Sequence, residues 1–479
     1  MLSEKKICIF GVIISIGYGV VTLQGFLLAF IGEIFTICTL GFSETSYGFV
    51  VNLYQNETMN LLIGALLLNP ADRISVGGLV LGAGRLASII LGDFGIGSIL
   101  DPVGFNILNL CEGRIDVQYR WLVESPAPGI IDRQSVFEPL QTGVLSIDSM
   151  IPIGRGQREL IVGDRQTGKT SIGVDTILNQ KYKKVFCIYM AIGQKASSIL
   201  EVFLALIRRD ATYYLSMLIA TGSSSAVCQF LCAYTGAALS EFFVYVRELP
   251  IWLMLDGLSS HAMAYREIYL LLRRPAGREA YPGEIFFVHS RLLERSAKLS
   301  GFLGGGSISV FPVIQTLASD VSAYITTNVI SITDGQIFLS QDLFLAGIKP
   351  AIDVGLSVTR VGSIAQWDRM KLVAAFYKLE LAQFIELQSF SQFVADLGQE
   401  TKNRLTKGRR LVEMLKQFSG SPINLYLQIG ILSLANADSI KGLAIKKVQS
   451  FIRLYLSVPV WPLLFVPVRL VGISCIRTL

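Results

Sequence analysis

Gly163-Asp164-Arg165-Gln166-Thr167-Gly168-Lys169-Thr170 sets two glycines, an ammonium and a hydroxyl at the spacing Gly-x-x-x-x-Gly-Lys-[Ser/Thr]. Glycine lets a backbone approach an anion with no Cβ in the way. Successive N–H groups of such a loop, and of a helix starting after it, point at phosphate oxygens. Lys169 is expected to reach the outer phosphates of a nucleoside triphosphate, and Thr170 to place its hydroxyl on Mg²⁺. A second signature is Ile251-Trp252-Leu253-Met254-Leu255-Asp256. Many buried strands end in aspartate. Downstream of a phosphate loop, the same pattern reads as the carboxylate that holds magnesium, directly or through water.

These groups need elements to hold them. Glu159-Leu160-Ile161-Val162 reads as a short buried strand ahead of the loop, and Ser171 to Gln180 as a helix behind it, with Ile172 and Ile177 on its apolar side. Strand, loop and helix in that order mark an α/β nucleotide fold.

The chain has 479 residues, room for two or three domains. It is 52% hydrophobic and 16% charged, with mean hydropathy +0.53, which raises the question of membrane insertion. The stretch from Ile7 to Ile31 carries no charge. Four glycines and many β-branched residues interrupt it, so buried strands are favoured over a span. Val458 to Val471 is apolar too, but holds three prolines and Arg469. Net charge is +6 with no long basic run, so nucleic acid is not an expected partner. The seven cysteines form no Cys-x-x-Cys pair and only His261 and His289 exist, which argues against a zinc site or a disulfide framework.

Texture divides the chain in three. Residues 1–74 alternate short apolar runs with turn residues. Phe49 to Tyr54 and Leu61 to Ile63, on either side of Asn56-Glu57, read as a hairpin. Several such strands predict an N-terminal β-barrel. Residues 75–366 alternate strands and helices, as a parallel α/β sheet requires. Residues 367–479 read as a helical domain, with Leu372, Phe376 and Leu379 at helical spacing and charge clustered from Glu400 to Lys416.

Several blocks carry a family resemblance. Gly154 to Leu160 (GRGQREL), the phosphate loop itself, Ala191 to Lys195 (AIGQK), Leu271 to Gly283 (LLRRPAGREAYPG) and His289 to Arg295 (HSRLLER) form most of the set. Thr327 to Gln336 (TNVISITDGQ) and Gly355 to Ser363 (GLSVTRVGS) complete it. Together they resemble the α-subunit family of F-type ATP synthases, closely from about Glu124 to Gln417 and faintly elsewhere. Glu124 to Gly129 (ESPAPG), Tyr234 to Glu241 (YTGAALSE) and Ser296 to Leu299 (SAKL) lean toward its chloroplast and cyanobacterial branch. The resemblance implies a multidomain fold: a β-barrel, a RecA-like P-loop α/β domain and a C-terminal α-helical domain. It implies three α subunits alternating with three β subunits around a rotating γ stalk, with δ and peripheral-stalk partners. Membrane association would run through the proton-channel sector.

Residue roles follow from the same resemblance. The loop Gly163, Asp164, Arg165, Gln166, Thr167, Gly168, Lys169 and Thr170, with Ser171, would bind ATP. Thr170 and Asp256 would hold Mg²⁺. Phe344 and Gln417 match residues around the adenine. Gln194 stands where the catalytic β subunit has a Glu, and a neutral amide cannot accept a proton near pH 7. ATP would therefore be bound here without being hydrolysed. Arg360 matches an arginine finger supplied in trans to the β site, where a permanently charged guanidinium stabilises spreading charge. Ser357 matches a position on the same segment that the family needs for activity.

The chain also departs from the pattern. Asp256-Gly257 replaces a pair of aspartates, Ser260 a lysine, and Lys349 an arginine near the adenine. No Arg- and Ser-rich leader is seen ahead of the barrel, so the expected setting is plastid or cyanobacterial, peripheral on the stromal or cytoplasmic side of a thylakoid membrane. Competing readings are a RecA-type hexameric RNA translocase, a degenerate membrane protein, and a catalytic β-like ATPase. The first would need basic and aromatic residues along the barrel strands, and the first 70 residues offer mainly Lys5 and Lys6 as basic positions.

Overall fold

The computed structural model describes residues 10–17, 19–25, 29–38, 45–55, 61–68, 74–91, 96–109, 119–272, 274–317, 319–391, 398–436 and 443–457. The turn at Asn56-Glu57 and the apolar stretch Val458 to Val471 lie outside these residues. The chain forms two compact units: Met1–Gln134, Lys184–Ile314 and Val321–Thr333 make the first, and Ser135–Lys183, Gln315–Asp320 and Asp334–Leu479 the second.

The first unit opens with a closed six-stranded barrel. Its strands are Phe10–Gly17, Val20–Gln24, Glu33–Cys38, Thr45–Gln55, Leu61–Leu67 and Leu79–Leu86. The chain there alternates inward and outward side chains, as in Val20–Gln24, where Val21 and Leu23 point inward. Ile13, Val21, Leu23, Phe35, Ile37, Val50, Ile63 and Val80 fill the core. Gly48 makes room for Phe35, since a Cβ there would collide with the ring. The Thr45–Gln55 and Leu61–Leu67 strands pair antiparallel, as the hairpin reading expected. The closing strand, Leu79–Leu86, pairs with the first and third strands. A boundary at residue 74 therefore cuts the barrel: the sequence from 75 on reads as the start of the α/β region, but its first strand completes the hydrogen-bond ring.

The rest of this unit is layered α/β. Ser307–Gln315, Pro250–Asp256, Phe186–Gln194, Leu215–Thr221 and Ser98–Leu100 lie side by side in parallel, and Asn106–Asn109 adds an antiparallel edge. The parallel strands are buried along most of their length and mainly apolar, because a parallel sheet is covered on both faces. Helix Ala226–Arg247 is long and apolar enough to cross a membrane, but 89% of its most apolar window is buried within the protein. Gly236 on that helix lies against Met190 with no space for a Cβ. Deep in the unit, Arg295 forks onto Glu241 at 2.5 and 2.7 Å, and Trp121 Nε1 donates to the same carboxylate at 3.0 Å.

In the second unit, Glu159–Gly163 pairs in parallel with Gly335–Leu339, and Ile352–Thr359 adds an antiparallel edge. Helices Asp368–Ser391, Gln399–Met414, Leu425–Asn436 and Ile445–Ser457 follow. Helix Gln399–Met414 buries Leu405, Gly408, Leu411 and Met414, one stripe at helical spacing. Gly408 receives the Phe384 ring, and Tyr377 Oη donates to the Leu411 carbonyl at 2.6 Å. The helix expected around Leu372, Phe376 and Leu379 is present. Those three side chains are exposed, and Met370, Ala374, Tyr377, Leu381 and Phe384 form the buried side.

Candidate functional site

The phosphate-type loop leaves the C-terminal end of Glu159–Gly163 and enters helix Lys169–Asn179. Two glycines are dictated by space and by backbone. A Cβ on Gly163 would sit 2.8 Å from Leu339 Cβ and 2.9 Å from the Leu339 carbonyl. Gly168 caps the helix at φ +97°, a conformation that costs any other residue. Between them Gln166 is also left-handed, at φ 61°. The ammonium of Lys169 spans the loop, donating to the Gly163 carbonyl at 2.9 Å and also to that of Asp164.

Asp164 contributes its backbone to the loop while its carboxylate faces the other way. It accepts from Thr316 Oγ1 at 2.7 Å and from the Ser319 N–H and hydroxyl at 2.9 and 3.0 Å. Burial pushes its pKa up, but these bonds and the nearby Lys169 charge outweigh it and hold the group below its ordinary value. Arg165 is exposed, and Thr170 is half-buried at the second position of the helix.

Beside the loop lies a cavity of about 710 Å³, within the size range of small-molecule sites. Gln166, Thr167, Gly168, Ser171, Phe344 and Gln417 all line it, so six of the expected residues meet on one surface. Lys349 lines it too, its ammonium 4.5 Å from the centre of the Phe344 ring, a cation–π contact. Gln417 is on the wall, but its amide is engaged by main chain. Nε2 donates to the Gly143 and Ser421 carbonyls at 2.8 Å each, and Oε1 accepts from Leu145 N at 3.1 Å. Its backbone N–H bonds Lys349 O at 2.8 Å. Gln417 thus shapes the wall more than it reads a ligand. Asp175, Phe418 and Gln449 also line the cavity, and sequence reasoning missed them. The run Ser419-Gly420-Ser421-Pro422 was the available signal, because such a turn ends a helix and brings its flanks onto neighbouring loops. Gly420 N indeed donates to Asp175 Oδ1 at 2.6 Å.

Asp256 and Gln194 belong to the other unit. Asp256 ends the Pro250–Asp256 strand, buried, with Tyr189 Oη donating to Oδ2 at 2.8 Å. Burial, then the Asp256 charge and this bond, push the Tyr189 phenol well above its ordinary value, so it stays a donor. Gly257 follows at φ +109°, and a Cβ there would collide with the Ile192 carbonyl oxygen. Gln194 is half-buried at the end of Phe186–Gln194, past a register break at Ile192/Gln194, with Gly193 at φ +65°.

Arg360 follows the edge strand Ile352–Thr359 and is exposed. The two-residue repeat puts Leu356 and Val358 on its face, and both are more than half exposed. Ser357 points to the opposite side, buried. Its hydroxyl donates to the Asp353 carbonyl at 2.5 Å and accepts from Phe338 N at 2.9 Å, next to the strand's register break. Ser357 thus bonds the backbone of the strand that leads to Arg360.

A model described as the ATP synthase alpha/beta family, nucleotide-binding domain, matches residues 143–359. One described as the ATP synthase alpha/beta chain, C terminal domain, matches residues 366–458.

Proposed function

We propose, from the premise that this chain belongs to the ATP synthase alpha/beta family, that it is the non-catalytic, nucleotide-binding α-type subunit of a proton-translocating complex. The family carries ATP binding and membership of an ATPase assembly with it. The assignment to the α role rests on one observation above all: Arg360 stands exposed on a strand face shared with Leu356 and Val358. A cation on an exposed apolar face is suited to a neighbouring chain's active site, where its fork meets phosphate oxygens. Gln194 supports the same division of labour, because an amide cannot take the proton of an attacking water.

In this reading the 163–170 loop grips the phosphates through its N–H groups and Lys169, and the Phe344 wall takes the base. Thr170 would supply a hard oxygen donor of the kind Mg²⁺ prefers, and the resemblance gives Asp256 the same role. Among the described residues no cluster of three or more His, Cys, Asp or Glu could cage a metal. Mg²⁺ held by one or two side chains plus phosphate oxygens would supply charge neutralisation there. Partners would be three β subunits, the γ stalk, and δ with the peripheral stalk. The setting would be the stromal side of a thylakoid or its cyanobacterial counterpart, as the resemblance around Glu124 to Gly129 and Tyr234 to Glu241 supports.

Turnover of the chain purified alone, against the native complex, tests this. ATP should bind without hydrolysis, and the complex should contain an equimolar partner with Glu at the position of Gln194. Hydrolysis by the lone chain at rates near those of the complex would assign it the catalytic role instead.

A further inference from the structure

The hairpin that ends in Arg360 is fastened by a set of polar groups that no role above explains. Asp334 begins it. Its carboxylate takes a fork from Arg158, Nε at 3.0 Å and Nη2 at 2.7 Å, and also the Arg158 backbone N–H at 3.0 Å. Asp334 N donates back to the Arg158 carbonyl at 2.9 Å, and the Asp334 carbonyl accepts from Arg360 N at 2.8 Å. One residue therefore ties residue 158 to residue 360. Beside it, Thr359 is clamped: Gln157 Nε2 donates to Thr359 Oγ1 at 3.0 Å and to Glu159 Oε2 at 2.7 Å. Thr359 Oγ1 donates onward to the Pro152 carbonyl at 3.3 Å. Gly335 closes the packing, since a Cβ there would lie 2.5 Å from both Glu159 Oε2 and the Val358 carbonyl. The guanidinium of Arg360 is exposed while the main chain beneath it is held on two sides.

We propose that Asp334 and Thr359 are positioning residues for Arg360: they fix where its guanidinium is presented to the neighbouring subunit, and contribute to turnover only through it. The inference rests on the trans role of Arg360. A transition-state contact misplaced by about 1 Å can cost about 100-fold in rate, so a rigid mount matters more for this arginine than for a surface cation.

The test uses the assembled ATPase complex carrying Asp334→Asn, Arg360→Lys or both. Asp334→Asn should lower kcat about 10- to 100-fold with KM within about twofold. In the Arg360→Lys background it should cost less than about twofold more, because a residue acting through Arg360 has nothing left to position. Full multiplication of the two effects, or a kcat unchanged by Asp334→Asn, would overturn the inference. If Arg360→Lys alone leaves kcat unchanged, the trans reading fails, and the inference with it. Should Asp334→Asn prevent assembly, Thr359→Val and Thr359→Ser carry the same test. The valine variant should lose rate and the serine variant should recover it, and equal rates would count against the proposal.

Discussion

At the scale of single residues, Glu159 shows how burial sets chemistry. It is fully buried, with Gln157 on one oxygen and no hydrogen-bond partner on the other. Desolvation raises its pKa well above the ordinary carboxylate value, the Gln157 bond opposes this, and the Asp334 charge adds to it. A raised folded pKa means the folded state holds a proton that the unfolded state releases. Stability is then complete below the unfolded value of about 4.3 and is lost as pH rises through the folded pKa. Glu159→Gln should remove that slope. Thermal unfolding from pH 5 to 9 should show the variant gaining on the wild type as pH rises, and parallel curves would contradict the assignment. Gly163 gives a second expectation. Gly163→Ala must displace Leu339, so about 1–3 kcal/mol of stability should be lost, together with binding of a fluorescent ATP analogue, measured by denaturation and titration. The need for Gly163 and Gly168 was legible, because glycine spacing encodes the loop directly. The role of Gln417 was not. Its amide is consumed by carbonyls more than 270 residues away in sequence or across a local turn, and no local pattern announces that.

At the scale of elements, helix Asp368–Ser391 was legible from its spacing, but which of its faces is buried was not. Both sides of it are apolar, so periodicity alone could not choose between Leu372, Phe376 and Leu379 and the row containing Tyr377 and Phe384. The choice was made by the neighbouring helix, where Gly408 leaves room for the Phe384 ring and the Leu411 carbonyl accepts from the Tyr377 hydroxyl. Phe384→Ala should cost about 3–5 kcal/mol. Leu372→Ser should stay within about 0.5 kcal/mol. Urea unfolding of the two variants would separate the faces, and similar losses would show that both are packed. The barrel was legible for the complementary reason: alternation in short strands has one solution once one face must be inside. Its end was missed because Leu79–Leu86 has exposed residues along most of its length and little inward pattern to read.

At the scale of the whole molecule, the high hydropathy has two destinations among the described residues. Much of it is internal, as in Ala226–Arg247. Some lies on surfaces such as Leu356 and Val358, where a lone protein gains nothing from it. Exposed apolar groups of this kind stabilise association. Leu356→Ser with Val358→Ser should leave the fold intact by circular dichroism and weaken incorporation into the complex at least about tenfold, since two large side chains would no longer be buried. Co-purification at limiting concentration reads this out, and unchanged incorporation would place the contact elsewhere.

At Gly257 the backbone itself selects the residue. With its φ at +109° and the Ile192 carbonyl occupying the room a side chain would need, an aspartate placed there would be both strained and crowded. Accepting one would require the main chain around Ile192 to move, so a second acid cannot be supplied at this position by exchanging the side chain alone.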